Sequence, residues 1–149
     1  MRPYVLDTNI YIRAVRDERW NRQLETFVTG FTPDLFLHSV VALELLAGAT
    51  SPAMEARTRR AFLDPLKRRR RVITPSHDAY ERAASIVATQ LRRRQLSADG
   101  LTRSYLNDCL IAASAREHGF VLVTLNERDF ARIAKVEPFE FTKPWPSAW

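Results

Sequence analysis

Residues 4–12 read YVLDTNIYI, and this stretch carries the first clear structural signal of the chain. Its apolar start, Tyr4–Leu6, predicts a short buried strand, and the apolar residues after it open a predicted helix at Asn9–Val15. Asp7 stands between the two. Its carboxylate could cap the helix, because aspartate accepts hydrogen bonds from first-turn N–H groups. It could equally be the first ligand of a metal ion.

Short apolar segments alternate with helical patterns along the rest of the chain. Further strands are predicted at Leu35–His38, at Val72–Thr74 and at residues 120–124, where FVLVT is the clearest strand signal. Helices are predicted at residues 20–27, 40–47 (Ser39 as N-cap, Gly48 at the end), 52–66, 77–94 (Ser76 as N-cap), 104–118 (ended by Gly119) and 127–133. This alternation predicts an α/β sandwich whose central sheet is mostly parallel.

Length and composition predict a single domain over residues 1–149, because 46% of the residues are hydrophobic and no linker or repeat interrupts the chain. The net charge of +6 favours an anionic partner, with nucleic acid first, although an ordinary basic surface would give the same charge. Two basic runs are candidate contacts to nucleic acid: Lys67, Arg68, Arg69 and Arg70 within KRRRR, and Arg92, Arg93 and Arg94.

The cysteine content and the length of the apolar runs indicate the cellular compartment. A single cysteine, Cys109, excludes an internal disulfide framework and is typical of a reducing environment. No apolar run approaches the roughly 18 residues that span a bilayer, and Asp7 interrupts any signal-peptide pattern. We therefore expect a soluble, cytoplasmic protein with no membrane partner.

Two acids lie inside apolar helical segments. Glu44 is embedded in SVVALELLAG and Asp108 in SYLNDCLIAASA. An unpaired buried carboxylate costs several kcal/mol, so each position calls for a reason. Glu44 could lie on an exposed edge or pair with a distant arginine, and Asp108 could complement the dipole of its helix from near the first turn.

A third acidic group follows the last clear strand, where VTLNERDF places Asn126 and Asp129. Alone, either residue could be a helix cap or an ordinary surface residue. Together with Asp7, Glu44 and Asp108 they make a set of oxygen donors at strand exits and on apolar helices. Carboxylates that share a site repel each other unless a cation neutralises them, and hard ions such as Mg²⁺ or Mn²⁺ prefer oxygen ligands. No Cys/His spacing indicates zinc.

Four motifs, YVLDTNIYI, HSVVALELLAG, LNDCLIAASAREHG and VLVTLNERDF, together resemble the PIN-domain nucleases. Within that family the chain is most similar to VapC-type toxins of toxin–antitoxin pairs. The resemblance covers nearly the whole chain and keeps the order of the motifs. It implies a PIN-like three-layer sandwich, a parallel sheet flanked by helices with the acidic site at the strand ends, and a Mg²⁺- or Mn²⁺-dependent endoribonuclease.

The resemblance also implies roles for individual residues. The three main acids match Asp7, Glu44 and Asp108, and Asp129 is favoured over Asn126 as the fourth. One ion would then be held by Asp7, Asp108 and Asp129, while Glu44 completes its shell or orients the attacking water. The residues expected to support these acids are Thr8, Asn9, Thr124 and Asn126.

Partners follow from the same resemblance. They are RNA as substrate, a small antitoxin that covers the acidic site, and a second copy of the chain in a homodimer. Two alternatives stay open from the sequence. One is a PIN-domain nuclease of RNA processing that is no toxin, and the other is a catalytically inactive RNA- or protein-binding module on the same fold.

Overall fold

Five short strands form one sheet in the computed structural model, which describes residues 2–147. The strands are β1 (Tyr4–Leu6), β2 (Leu35–His38), β3 (Val72–Ile73), β4 (Val121–Val123) and β5 (Phe141–Thr142). Their order across the sheet is β3-β2-β1-β4-β5, and every pairing is parallel. The predicted parallel α/β architecture is therefore confirmed.

Eight helices surround the sheet: α1 (Thr8–Arg16), α2 (Glu18–Phe31), α3 (Ser39–Ala47), α4 (Pro52–Thr58), α5 (Asp64–Arg68), α6 (His77–Arg92), α7 (Arg103–His118) and α8 (Glu127–Ala134). β1 and β4 are buried along their whole length, which requires cover on both faces of the sheet. α7 supplies much of that cover, because most of its residues are buried. No helix among residues 2–147 combines the length and the apolar character needed to cross a bilayer.

The start of α3 differs from the prediction. His38, not Ser39, caps this helix: its Nδ1 accepts a hydrogen bond from the Val40 N–H at 3.2 Å. Burial lowers the pKa of His38 to about 4, so the imidazole is neutral and can act as an acceptor. Ser39 is the first helical residue instead, and its hydroxyl lies 2.6 Å from the Thr74 hydroxyl.

The helix predicted over residues 52–66 is interrupted by a π-helical turn at Arg59–Leu63. The Asp64 N–H bonds the carbonyl of Arg59, five residues back. Pro65 explains the change, because proline has no N–H to donate and its ring clashes with the carbonyl four residues earlier. A single run of α-helix through this position is therefore excluded.

Aromatic side chains of α2 contribute to the core. Trp20 and Phe27 are buried, and Phe31 is half-buried against them. In the C-terminal stretch from Phe139, the ring of Trp145 packs on that of Trp20 with the centroids 4.9 Å apart and the planes tilted by 42°. The last two residues of that stretch, 148 and 149, and residue 1 lie outside the described residues.

Candidate active site

Asp7 directly follows β1 and is both a helix cap and the centre of a hydrogen-bond network. Its Oδ1 accepts from the Thr8 N–H at 2.8 Å, which caps α1. Its Oδ2 accepts from the Thr124 hydroxyl at 2.6 Å and from the Asn9 amide at 3.1 Å. Only 4% of Asp7 is exposed, so these donors replace water around the carboxylate.

Sheet register explains why Thr124 reaches Asp7. Leu6 pairs with Val123 in the parallel β1–β4 ladder, so the residue after each strand lies at the same edge. Asn9 strengthens the junction, since its Oδ1 accepts from the Leu125 N–H at 3.3 Å. The ends of two buried strands thus meet at one carboxylate, as expected for the carboxyl edge of a parallel sheet.

Glu44 reaches the same edge from α3. It is half-buried, and its Oε1 accepts a hydrogen bond from the Thr8 hydroxyl at 2.8 Å. Thr8 therefore contacts two acids, Asp7 through its backbone and Glu44 through its side chain. The sequence allowed Glu44 to lie on an exposed helix edge or to pair with a distant arginine. Within residues 2–147, Glu44 is neither fully exposed nor part of an ion pair.

Asp108 and Asp129 are joined by Asn126. The amide nitrogen of Asn126 lies 3.2 Å from Asp108 Oδ2 and 3.2 Å from Asp129 Oδ2. Asp108 is 6% exposed and projects from the sixth position of α7, so it is not a first-turn acid. Asn126 accordingly supports both acids as a neutral donor.

Asp108 is influenced electrostatically by the other three acids. Burial, followed by the charges of Asp7, Glu44 and Asp129, raises the pKa of Asp108 to about 8. Burial also raises the pKa of Asp7, against the hydrogen bonds from Thr124 and Thr8. These shifts place all four acids in one negatively charged site.

Positive charge within this site is scarce. Over residues 2–147, the one ion pair that any of the four acids makes is between Arg132 and Asp129, at 3.5 Å. In the same part of the chain no three acidic, histidine or cysteine side chains converge tightly enough to enclose a metal ion. The site is thus an open cluster of oxygen donors with an excess of negative charge.

A family model described as "PIN domain" matches residues 4–136. The chain belongs to the PIN domain family. The match covers β1, β4 and the four acids described above. It therefore confirms the predicted resemblance to the PIN-domain family. A comparison with curated protein sequences gives no significant match.

Solved structures show the same fold. VapBC from Salmonella typhimurium bound to DNA matches with a TM-score of 0.71 at 22% identity, over 96% of this chain and 98% of that chain. VapBC2 from Rickettsia felis, bound to a promoter DNA fragment, gives 0.65 at 25% identity over 96% and 98%. A toxin–antitoxin complex from Klebsiella pneumoniae gives 0.60 at 29% identity over 92% and 98%.

The two basic runs of this PIN domain lie at different edges of the sheet. Lys67–Arg71 leads into the amino end of β3, where the Arg71 carbonyl accepts from the Leu37 N–H at 2.9 Å. The Arg71 guanidinium donates to the carbonyl of Thr32, which precedes β2. This run therefore lies at the amino edge, opposite the edge that carries Asp7.

Arg92–Arg94, by contrast, end α6 beside the acidic site. The next residue, Gln95, accepts from the Arg132 guanidinium at 2.8 Å, and Arg132 pairs with Asp129. Gln90, in the last turn of α6, accepts from the Tyr105 hydroxyl at 2.7 Å, one helical turn before Asp108. The structure thus brings this run, and not the other, to the acids.

The sequence patterns did not identify Arg132, which joins the turn after α6 to the acidic site. Its side chain contacts Asp129, the backbone at Gln95 and the ring of Tyr105, which lies 5.4 Å from the guanidinium carbon. One signal was available, because Arg132 follows Asp129 by three residues and such pairs face each other on a helix. The contact to Gln95 depends on tertiary packing and leaves no trace in local sequence.

A mainly apolar cavity lies away from the four acids. It measures about 480 Å³ and is lined mainly by apolar residues of α1, α2 and the segment around α5, including Leu24, Phe62 and Leu66. None of the four acids lines it. A site for chemistry on an anionic substrate is therefore better placed at the acidic edge than in this cavity.

Proposed function

We propose that this PIN domain is a divalent-metal-dependent endoribonuclease and the toxin of a toxin–antitoxin pair. The observation that carries the proposal is the cluster of Asp7, Glu44, Asp108 and Asp129 at the carboxyl edge of β1 and β4. Burial and the neighbouring carboxylates raise the pKa of Asp108, and such a site is a cost to the folded state unless a cation is bound there. An all-oxygen donor set fits Mg²⁺ or Mn²⁺.

The residues that would hold the ion are Asp7, Asp108 and Asp129, with Glu44 completing the shell or orienting the attacking water. Because these acids form an open cluster, water and the substrate phosphate would supply the remaining ligands, as is usual for Mg²⁺. When bound, the ion would lower the pKa of its water and stabilise negative charge on the phosphate.

Neutral donors prepare the acids for this role. Thr124 and Asn9 hold the Asp7 carboxylate, Thr8 holds Glu44, and Asn126 spans Asp108 and Asp129. Hydrogen bonds from hydroxyl and amide groups fix the direction of each carboxylate without neutralising it. Such preorganisation lets the acids bind a cation without first rearranging.

The substrate-contacting run would be Arg92–Arg94. These arginines are exposed and lie on the loop that Arg132 ties to Asp129. Guanidinium groups bind phosphate oxygens and position a nucleic acid without reading its sequence. Lys67–Arg70 lies at the opposite edge, so we do not include it among the residues proposed to hold RNA at the acids.

A small antitoxin would be the protein partner. The support is that similar solved structures are VapBC and other toxin–antitoxin complexes, at up to 29% identity among those named above. A partner that covers the acidic edge would need positive charge or an aromatic segment to complement the four acids. A homodimer of this chain is proposed with it.

Asp7→Asn tests the activity. Purified wild type with Mg²⁺ should cleave a mixed RNA pool and leave 5′-phosphate and 3′-hydroxyl ends, detected by sequencing of RNA ends. Asp7→Asn should lose this cleavage while keeping the circular dichroism spectrum, because asparagine retains an oxygen that can cap α1. Asp78→Asn, an exposed acid on α6, is the matched control and should cleave normally. Full cleavage by Asp7→Asn, or cleavage that survives chelation of divalent ions, would contradict the proposal.

A further inference from the structure

Two arginines adopt a backbone conformation that normally belongs to glycine. Arg70 and Arg94 both have φ of 56°, and the only other left-handed residue among residues 2–147 is Gly119, at 70°. The left-handed conformation brings Cβ close to the following carbonyl oxygen, so it is unfavourable for any residue that has a Cβ. An arginine at such a position therefore needs a reason.

The same hydrogen-bond pattern produces both cases. After α5, the Arg71 N–H bonds the Leu66 carbonyl and the Arg70 N–H bonds the Lys67 carbonyl, both at 2.9 Å. After α6, the Gln95 N–H bonds the Gln90 carbonyl at 2.8 Å and the Arg94 N–H bonds the Leu91 carbonyl at 3.1 Å.

Both ends are Schellman motifs, in which the left-handed position is usually glycine. The chain does use Gly119 at the left-handed end of α7. The two arginines thus occupy equivalent positions where a glycine would suit the backbone better.

Contacts within the protein do not offset the strain. In the part of the chain that the structure describes, neither Arg70 nor Arg94 makes a side-chain hydrogen bond or an ion pair, and both are exposed. Strain alone gives the two arginines equal standing, so their surroundings must distinguish them.

The surroundings of the two arginines differ. Arg94 immediately precedes Gln95, whose carbonyl is bonded by Arg132, and Arg132 pairs with Asp129 of the acidic site. Arg70 precedes Arg71 at the amino edge of β3. Of the two turns, only the one that contains Arg94 is therefore joined to the edge where the acids lie, through two contacts of the Arg132 side chain.

We propose that Arg94 is an RNA-phosphate contact beside the acidic cluster, and that an arginine is kept at this left-handed position because its exposed guanidinium binds the substrate. The inference rests on the proposed nuclease function. A guanidinium suits this task because its planar fork binds two phosphate oxygens at once. Arg70 has the same backbone but takes no part in RNA binding.

Glycine substitutions at the two positions test this as a matched pair. Both are made in full-length Asp7→Asn protein, so that RNA is bound and not cleaved. Thermal unfolding measures stability, and fluorescence anisotropy of a labelled single-stranded RNA measures the dissociation constant over a series of KCl concentrations. Each glycine should raise the melting temperature by about 1–3 °C, because it relieves the left-handed strain.

RNA binding should separate the two variants. Arg94→Gly should weaken binding about three- to tenfold and reduce the slope of log K against log salt by about 0.7, the value for one lost contact to a single strand. Arg70→Gly should leave both quantities unchanged, and Arg94→Lys should keep most of the salt slope because it keeps the charge.

Three results would overturn the proposal. The first is equal RNA binding by the two glycine variants, and the second is a lower melting temperature for Arg94→Gly than for its parent. Each leaves the nuclease function standing. The third is an absence of any salt-dependent RNA binding by the Asp7→Asn parent, which would overturn the proposed function as well.

Discussion

Replacement of Asp108 by asparagine tests the electrostatics of the acidic site most directly. The folded chain raises the pKa of this carboxyl from 3.8 to about 8, through burial and then through Asp7, Glu44 and Asp129. Since the folded state holds this proton more tightly than the unfolded state, the contribution of Asp108 to stability is complete below about pH 4 and is lost as the pH rises toward 8.

The size of the effect follows from the pKa shift. Neutral pH lies about three units above the pKa of Asp108 in the unfolded chain, and one unit corresponds to about 1.4 kcal/mol. Ionisation of Asp108 in the unfolded chain therefore lowers the free energy of unfolding by up to about 4 kcal/mol at pH 7. The substituted asparagine side chain would not titrate, and its amide hydrogens would face carboxylate acceptors. Asp108→Asn should therefore raise the melting temperature in EDTA at pH 7 by about 5–10 °C for a chain of this length.

Calorimetry at pH 5, 6, 7 and 8 gives the assay. Wild type in EDTA should lose stability across this range, and Asp108→Asn should lose much less. Added Mg²⁺ should stabilise wild type, since a ligand of the native state raises stability, and should stabilise the variant less. Exposed Asp78→Asn controls for the loss of one negative charge. Equal stability of Asp108→Asn and wild type at pH 7, with parallel pH dependence, would refute the reasoning that burial and the neighbouring acids raise the pKa of Asp108.

Two further predictions concern the edge of the sheet. Burial, followed by the charge of His118, lowers the pKa of His38 from 6.5 to about 4. The contribution of His38 to the free energy of unfolding is therefore complete above about pH 6.5 and is lost as the pH falls toward 4. The loss amounts to about 3 kcal/mol. His38→Asn, which retains an acceptor for the Val40 N–H, should flatten this acid loss in urea unfolding at pH 7 and 4.5; an unchanged loss would contradict it. Thr8→Val removes the hydroxyl that orients Glu44 and should slow RNA cleavage about tenfold with little change in melting temperature, while Thr8→Ser restores the rate. A Thr8→Val rate equal to wild type would remove Thr8 from the site.

Local sequence signals predicted the elements that position the site. Leu35–His38 is the strand that the sequence predicts, and β4 lies inside the predicted FVLVT segment. Asp7, Glu44 and Asp108 could be singled out because a carboxylate next to buried apolar residues contradicts the pattern around it. Parallel strands then bring residues after β1 and β4 to one edge, so their proximity follows from the fold class.

Features that depend on tertiary contacts were not predictable in this way. β5 has only Phe141–Thr142 and pairs with β4 alone, so it carries too few residues for an alternating pattern. The cap of α3 was assigned to Ser39 because serine is a common N-cap, whereas a buried neutral histidine, His38, caps the helix. The break near Pro65 was in principle visible, since proline inside a helical pattern predicts an interruption.

Asp108 and Arg94 are both positions where the chain accepts a less stable folded state, but they differ in how they can be found. The conflict at Asp108 is between residue type and hydrophobic pattern, which can be read from sequence. The conflict at Arg94 is between residue type and backbone conformation, and a φ of 56° becomes visible only in three dimensions. Asp108 lies at the carboxyl edge of the sheet, and Gln95, the residue after Arg94, is linked to it through Arg132, Asp129 and Asn126. If Asp108 and Arg94 both serve one RNA substrate, the stabilising variants Asp108→Asn and Arg94→Gly should impair cleavage and RNA binding, respectively. Arg70→Gly, at an equally strained position, should leave RNA binding unchanged.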